Sequence, residues 1–166
     1  SLDEIARLAD HLVLLSEGHA VASGPLQETL ARIDLPGSLH DDAGVVIDTI
    51  IGAHDDTDLL SRLDFPGGEI FIARGNDPVG KHLRCHIHAR DVSLTLQRQE
   101  GTSILNLIHV TVVNVADAEN PAHVLVRLEA GSTSLLARIT RRSFRTLELR
   151  TGQEVWAQIK AVAVLE

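Results

Sequence analysis

The sequence predicts a mainly β protein, in which an OB-like β-barrel follows a short α/β segment. Beyond residue 43, short apolar runs alternate with clusters of turn-forming residues, a pattern typical of small all-β barrels. Before residue 36, the spacing of apolar residues is partly helical and partly strand-like. Hydrophobic residues make up 44% of the chain and aromatic residues only 2%, so the core must be built from Leu, Val, Ile and Ala.

The beginning of the chain predicts a helix, a hairpin and a second helix. Residues 1–10 have apolar side chains at helical spacing, with acidic residues in the first turn, where the helix dipole favours them. Strands are predicted at 11–15 and 20–24 because two short apolar runs flank a glycine-containing turn. The second helix is predicted to start at Pro25, since proline is favoured at the first helical position.

The segment Leu35-Pro36-Gly37-Ser38 has the composition of a linker, and we therefore divide the chain into residues 1–36 and 37–166. A helical turn is predicted at 141–147. The two halves of the second part each hold four predicted strands, without a clear repeat of sequence between them. The predicted strands are 44–52, 57–64, 69–74, 82–89, 106–116, 122–129, 133–140 and 153–165.

The net charge of −8 makes binding to nucleic acid or to an anionic membrane surface unfavourable. It does not exclude a small anion site, because such sites are built locally from N–H groups and hydroxyls. No apolar run is long enough to span a membrane. The single cysteine, Cys85, rules out an internal disulfide and fits a reducing compartment. The chain contains no Met, so we expect it to begin inside a longer gene product.

Motifs for catalysis are missing from the sequence. There is no Gly-x-x-x-x-Gly-Lys-Ser/Thr loop to cradle phosphates, and no apolar run ending in Asp-Glu to hold Mg²⁺. We therefore expect that this chain alone does not hydrolyse ATP. A Gly-x-Ser-x-Gly elbow is also missing, which disfavours a free-standing hydrolase.

Three polar segments lack Asp and Glu although the chain as a whole is acidic. They supply hydroxyls, side-chain amides, backbone N–H groups and an ammonium group, which are the donors that a tetrahedral dianion needs. The sequence therefore predicts an oxyanion site. The segments are Thr102-Ser103-Ile104-Leu105-Asn106, Thr140-Arg141-Arg142-Ser143 and Gln158-Ile159-Lys160-Ala161.

A cluster of His82, Cys85, His86 and His88 suggests a metal site at first sight. On a strand, His86 and His88 lie on one face and Cys85 points to the other. A tetrahedral zinc site needs further ligands on the histidine face, and no second Cys/His pair has the expected spacing. We therefore predict no metal site here.

Two stretches resemble a known family of transporter subunits. Residues 1–34 resemble the tail of an ABC ATPase domain, through Asp3-Glu4, Leu8-Ala9-Asp10, an apolar strand, Gly18 and Gly24-Pro25. Residues 90–166 resemble the molybdate-binding TOBE/Mop domain. That resemblance rests on Ala89-Arg90-Asp91-Val92-Ser93-Leu94, Thr102-Ser103-Ile104-Leu105-Asn106, Leu136-Ala137-Arg138-Ile139-Thr140-Arg141-Arg142-Ser143 and Val155-Trp156-Ala157-Gln158-Ile159-Lys160-Ala161-Val162-Ala163.

The resemblance implies an OB-like TOBE/Mop barrel at about 98–165, within the ATP-binding subunit of a molybdate importer. It implies molybdate or tungstate as the ligand, with ATP and Mg²⁺ bound only by the full-length parent. It also implies a homodimer that works with a membrane permease, cytoplasmic and peripheral on the inner face of the membrane. The residues it assigns to the oxyanion are Ser103, Ile104, Asn106, Thr140, Ser143, Lys160 and Ala161.

Two alternatives remain open on the sequence alone. The β domain could be a dimerisation module without a ligand, as in relatives that serve other substrates. It could also bind another oxyanion such as sulfate.

Overall fold

The computed structural model describes residues 2–35 and 43–165, apart from the side chain of Leu2. Most of the predicted linker, residues 36–38, therefore lies outside the described residues. The described part is mainly β, as the sequence predicts. Its helices and strands are α1 (Leu2–Leu8), β1 (His11–Ser16), β2 (His19–Pro25), α2 (Leu26–Leu30), β3 (Gly44–Asp55), β4 (Leu60–Phe65), β5 (Gly68–Ala73), β6 (His82–His88), β7 (Val92–Thr95), β8 (Asn106–Asp117), β9 (His123–Ala130), β10 (Thr133–Thr140), α3 (Arg141–Thr146), β11 (Glu154–Ile159) and β12 (Ala163–Leu165).

The α/β segment at the start of the chain packs onto the β part through a small apolar cluster. The helix–hairpin–helix order is as predicted, with α1 ending at Leu8. The strands β1 and β2 form a two-stranded antiparallel sheet. Buried residues from this segment gather around Val46 of β3, so the segment shares a core with the β part. They are Ala6, Leu12, Leu26 and Leu30.

Arg84 on β6 fastens α1 to the β part by polar contacts. Its guanidinium donates to the carbonyl oxygens of Ala6 and Ala9, at 3.2 and 2.8 Å, which lie at the C-terminal end of α1. It also pairs with Asp10 at 3.1 Å and with Asp48 at 3.2 Å. The last carbonyl groups of a helix have no N–H partner within it, and a cation can bond to them instead. Arg84 therefore both caps α1 and holds it against β6.

Strands β3 to β12 form two five-stranded antiparallel sheets. Sheet one has the order β12-β6-β3-β4-β5, and sheet two has the order β7-β11-β8-β9-β10. The two orders correspond strand by strand, so the β part is an internal duplication. The long central strands β3 and β8 both have 12 residues, and each carries a bulge in its pairing with the next strand. The duplication is not visible as a repeat of sequence, because packing preserves the strand order without preserving residue identity.

The two halves exchange their last strands. Strand β7 follows the strands of sheet one along the chain but pairs with β11 in sheet two. Strand β12 follows the strands of sheet two but pairs with β6 in sheet one. Each sheet is therefore completed by a strand from the other half of the sequence.

One strand prediction is wrong in its extent. The segment 153–165 forms two strands, β11 and β12, which lie in different sheets. The partner strand β8 begins at Asn106, which pairs with Ile159, so β11 has no partner to continue with beyond that residue. The N–H of Lys160 instead donates to the carbonyl oxygen of Asp91 at 2.9 Å, and the chain crosses to sheet one.

The two sheets enclose one shared hydrophobic core of Val, Leu, Ile and Ala side chains, as the composition predicts. At one end of this core, two hairpin turns touch each other. The backbone of Gly67, between β4 and β5, packs directly on Ala130 and Gly131, between β9 and β10. The hydroxyl of Thr133 donates to the carbonyl oxygen of Pro66 across the same contact. This contact joins the two halves at equivalent turns of the duplication.

Among residues 2–35 and 43–165, no helix has the length and apolar character needed to cross a lipid bilayer.

Candidate functional site

The predicted oxyanion residues fall into two groups in sheet two. The first group lies where β8 begins and β11 ends. Ser103 is exposed in the segment before β8, and Ile104 is half-buried with its N–H donating to Thr102 Oγ1 at 3.1 Å. Lys160 and Ala161 are exposed directly after β11. Because Asn106 pairs with Ile159, these residues share one end of the β8–β11 pair, which we call the Lys160 end.

Asn106 has a structural role that the sequence analysis did not foresee. Its side chain is only 9% exposed and reaches across to the backbone of Phe71 in β5. Its Oδ1 accepts from the Phe71 N–H at 2.7 Å, and its Nδ2 donates to the Phe71 carbonyl at 3.0 Å. The amide thus pairs with a backbone strand edge in the way a neighbouring strand would, and it ties sheet two to sheet one.

The second group consists of Thr140 and Ser143 at the start of α3, where both side chains are exposed. Thr140 is the N-cap residue: its Oγ1 accepts from the Ser143 N–H at 3.0 Å and donates to Ser143 Oγ at 2.9 Å. The predicted helical turn is therefore confirmed, and its first turn presents two hydroxyl groups side by side. We call this place the Thr140 end.

The two groups lie at opposite ends of the β8–β9–β10 ladder. Thr140 pairs with His123, and the neighbouring Val124 pairs with Asp117, the last residue of β8. Asn106 is the first residue of that same strand. The ladder therefore does not bring Thr140 and Ser143 to the Lys160 end by strand pairing.

A cavity of 370 Å³ lies between α3 and β7, beside Ser143. Ser93 of β7 faces the same cavity, and its Oγ donates to Gln158 Oε1 at 3.4 Å. Ser93 was not among the predicted site residues, since nothing in its local sequence shows which sheet β7 joins. Among the described residues, those lining the cavity carry no carboxylate: they are Ser93, Leu94, Ile139, Arg142, Ser143, Thr146 and Leu147.

A second cavity, of 280 Å³, lies next to the segment that precedes β8. It contains the polar side chain of Thr102 and the cation Arg98, but also the carboxylate of Glu100. A carboxylate repels a dianion at short range, so this cavity is less suited to an oxyanion than the one beside Ser143.

Comparison with known proteins gives one family match in the C-terminal part of the chain and relatives along nearly all of it. Residues 102–165 match the TOBE domain family. The chain is 55% identical to molybdenum import ATP-binding protein ModC 1 of Azotobacter vinelandii, over 98% of this chain and 45% of that protein. This chain is a ModC relative with a TOBE domain. It is also 51% identical to ModC of Methylococcus capsulatus, over 100% of this chain and 47% of that protein.

The chain thus spans about half the length of the curated relatives it matches. Among solved structures, it is similar to the cytoplasmic molybdate-binding protein ModG in a form with molybdate bound. That similarity has a TM-score of 0.60 at 19% identity, and it covers 72% of this chain and 92% of ModG. At this identity the likeness establishes a common fold, in agreement with the predicted OB-like barrel.

The histidine-rich strand β6 places its side chains as predicted. The rings of His86 and His88 are neighbours on one face, with centroids 4.1 Å apart. Cys85 points into the core on the other side and is fully buried. Burial lowers the pKa of His86, and the nearby charges of His88 and Arg90 lower it further, against the opposing effect of Asp3. The Asp3 carboxylate lies 2.9 Å from Nδ1 of His86.

Cys85 makes folding stability depend on pH in the alkaline range. Burial raises the pKa of its thiol from 9.0 to about 11, although a weak bond with Thr49 opposes this. The unfolded thiol ionises first as the pH rises, so the stabilisation is complete below pH 9 and is lost between pH 9 and about 11. We expect the free energy of unfolding to fall by on the order of 2 kcal/mol across this window from this group. Urea unfolding at a series of pH values measures it.

The Cys85→Ala variant is the control for this prediction, because alanine keeps the site apolar and has nothing to ionise. Its unfolding free energy should fall less steeply between pH 9 and 11, because Cys85 is the residue that differs between the two proteins. An equal slope in the variant and the parent would show that Cys85 does not cause the alkaline loss.

Proposed function

We propose that the β part of this chain binds molybdate or tungstate as a regulatory oxyanion. In this proposal, the chain forms the C-terminal part of the ATP-binding subunit of a molybdate importer, as its ModC relatives suggest. The observation that carries the proposal is the cavity beside Ser143, in which hydroxyl groups and Arg142 gather without any carboxylate among its described lining residues. In a chain with a net charge of −8, such a surface is suited to an anion.

The chemistry at the Thr140 end suits a tetrahedral dianion. The hydroxyl groups of Thr140 and Ser143 can turn to donate to oxyanion oxygens, and Arg142 adds a charge-assisted donor. Ser93 contributes a further hydroxyl from β7. At the other end of the ladder, Lys160 offers an ammonium group and Ser103 a hydroxyl, and both residues are exposed.

A two-fold homodimer can bring together the two groups, which strand pairing places at opposite ends of the β8–β9–β10 ladder. In a two-fold dimer, a patch on each subunit can face a different patch on the other subunit, so the same contact forms twice. We propose that the Lys160 end of one subunit faces the Thr140 end of the other, so that each oxyanion is held by both subunits. Ser103, Ile104, Lys160 and Ala161 then come from one subunit, and Thr140 and Ser143 from the other, while the amide of Asn106 stays bonded to Phe71.

The remaining functions belong to the full-length protein in this proposal. ATP and Mg²⁺ bind in the part of the parent that precedes this chain, and that part contacts the membrane permease from the cytoplasmic side. An oxyanion shared by two subunits stabilises one orientation of the dimer, and it can regulate transport only if the transporting states differ in affinity for it.

Calorimetric titration with molybdate tests the binding proposal. We expect Ser143→Ala and Lys160→Met each to weaken molybdate binding by about tenfold, since a hydrogen bond to a charged group contributes about 1.5 kcal/mol or more. The matched controls are Ser132→Ala, at an exposed turn, and Lys81→Met, which removes an exposed lysine that pairs with Asp77. Both controls should bind as the parent does.

Sedimentation with and without molybdate shows whether the protein is a dimer, and calorimetric titration of mixed variants shows whether two subunits share each site. A mixture of the Ser143→Ala and Lys160→Met proteins should recover one intact site per mixed dimer. Absence of binding heat in a protein that is already dimeric would instead indicate a dimerisation module without a ligand. Equal affinity for sulfate would indicate a different oxyanion, and unchanged affinity in both variants would place the site elsewhere.

A further inference from the structure

Asp3, His86 and His88 form a compact group of potential metal ligands outside the proposed oxyanion site. One ligand atom from each residue lies within 4.8 Å of the others. The two histidines come from β6, while Asp3 comes from α1, 83 residues earlier. The sequence alone predicts no metal site here, because no second Cys/His pair with the expected spacing supplies further ligands for the histidine face of β6. The fold supplies the missing ligand from a distant part of the chain.

Two ring nitrogens in this group have no hydrogen-bond partner among the described residues. Nε2 of His86 and Nδ1 of His88 are both buried and unpaired. The His86 side chain is only 1% exposed, and its other nitrogen lies 2.9 Å from the Asp3 carboxylate. A buried polar atom without a partner costs free energy, so two of them on rings whose centroids lie 4.1 Å apart require an explanation.

We propose that Asp3, His86 and His88 bind a divalent transition-metal ion of the Zn²⁺ or Ni²⁺ class. Each histidine gives one ring nitrogen, Asp3 gives a carboxylate oxygen in place of its present bond to His86, and water completes the coordination. Two imidazoles and one carboxylate make a ligand set that such ions prefer.

The charges around the group select the class of metal. Asp3 is the one carboxylate in the ligand set, and Arg90 lies near enough to act on His86 electrostatically. Mg²⁺ and Ca²⁺ need several oxygen ligands and a clear excess of negative charge, which this place does not offer. Nitrogen ligands bind borderline metals by donating lone pairs, so one neighbouring cation does not prevent binding.

The bound metal links α1 to β6. These are the elements that Arg84 also joins, through the carbonyl oxygens of Ala6 and Ala9. Arg84 holds the C-terminal end of α1, and the metal holds its first turn at Asp3. Metal binding therefore fixes the orientation of the N-terminal segment on sheet one.

Zinc titration of the full 166-residue chain, followed by calorimetry, tests the proposal. We expect one Zn²⁺ per chain, and at least about tenfold weaker binding in Asp3→Asn and in His88→Gln, as for other losses at metal sites. The control is His82→Gln, which alters an exposed histidine of the same strand and should leave the affinity unchanged. Hydrogen exchange of the α1 amides should slow on addition of Zn²⁺ in the parent and in His82→Gln only.

NMR of the unaltered protein keeps the proposal testable if a variant does not fold. On addition of Zn²⁺, the ring nitrogen signals of His86 and His88 should shift, while those of exposed histidines such as His82 should not. The proposal is overturned if no Zn²⁺ binds, or if the shifts fall on the exposed histidines. It is also overturned if Asp3→Asn and His88→Gln keep the parent affinity.

Discussion

Replacing Gly67 with alanine is expected to lower the free energy of unfolding by about 4 kcal/mol, since a forced backbone clash adds to a strained backbone conformation. Gly67 has φ of +105°, and a Cβ atom there would lie 1.8 Å from the carbonyl oxygen of Ala130. The nitrogen of Gly131 would lie 2.9 Å from it. Both are backbone atoms that cannot rotate away, so the two hairpin turns must separate. Urea denaturation of the parent and the variant measures the loss.

Gly152→Ala is the matched control for this substitution. Gly152 also has a positive φ, +89°, but no atom lies within 4 Å of a Cβ built there. It therefore incurs only the conformational cost, about 1 kcal/mol. Equal losses in the two variants would show that the contact between the hairpins does not matter for stability.

Replacing Asn106 with alanine is expected to lower the free energy of unfolding by about 3 kcal/mol, because it leaves two backbone groups of Phe71 without partners. The side-chain amide now pairs with both the N–H and the carbonyl of Phe71, at 2.7 and 3.0 Å. Alanine also leaves a gap where a side chain that is 9% exposed had packed. Chemical denaturation followed by tryptophan fluorescence measures the loss, with Trp156 on the neighbouring strand as the reporter.

Asn114→Ala provides the comparison on the same strand. Asn114 is exposed, and its amide oxygen accepts from the N–H of the adjacent Val115. Its loss should cost less than about 1 kcal/mol. A small effect at Asn106 would mean that the link to β5 contributes little, and it would leave oxyanion binding as the main reason for an amide at that position.

Local signals in the sequence were sufficient to predict the positions of most of the strands. Alternation of apolar and polar residues predicted 133–140 without error and 82–89 to within one residue. The strand predicted at 57–64 begins later, at Leu60. There, the carboxylate of Asp55 accepts from the N–H groups of Thr57 and Asp58, and Leu59 takes a positive φ of 56°. This side-chain-stabilised turn extends through residues that local hydropathy assigned to the strand.

The exchange of strands could not be predicted in this way. Val92–Thr95 is four residues long, too short for a reliable period, and its partner β11 lies some sixty residues further along the chain. Nothing local shows that the chain changes sheets after Ile159, because both neighbouring segments are apolar. Pairing over such distances is decided by which exposed strand edge remains available in the folded molecule.

The candidate site shows the same division between local and distant information. Composition found the carboxylate-free segments, and the sequence predicted the helical turn near 141–147 that carries Ser143. The sequence did not show that the side chain of Asn106 bonds to the backbone of Phe71, or that Asp3 lies beside His86. Both contacts join residues far apart in sequence, 35 and 83 positions respectively. The grouping of residues into sites is therefore the part that required the fold.

The swapped positions of β7 and β12 mean that the two halves of the duplication are interlocked. A cut in the connecting segment 96–105 would sever the chain without freeing either half, because each product keeps a strand inserted in the other's sheet. Conversely, a fragment with the limits of the TOBE match, residues 102–165, contains β12 but lacks β7. Excised at those limits, the piece would lack one edge strand of its own sheet and expose a strand that has lost its partner. The autonomous unit of this architecture is the pair of halves.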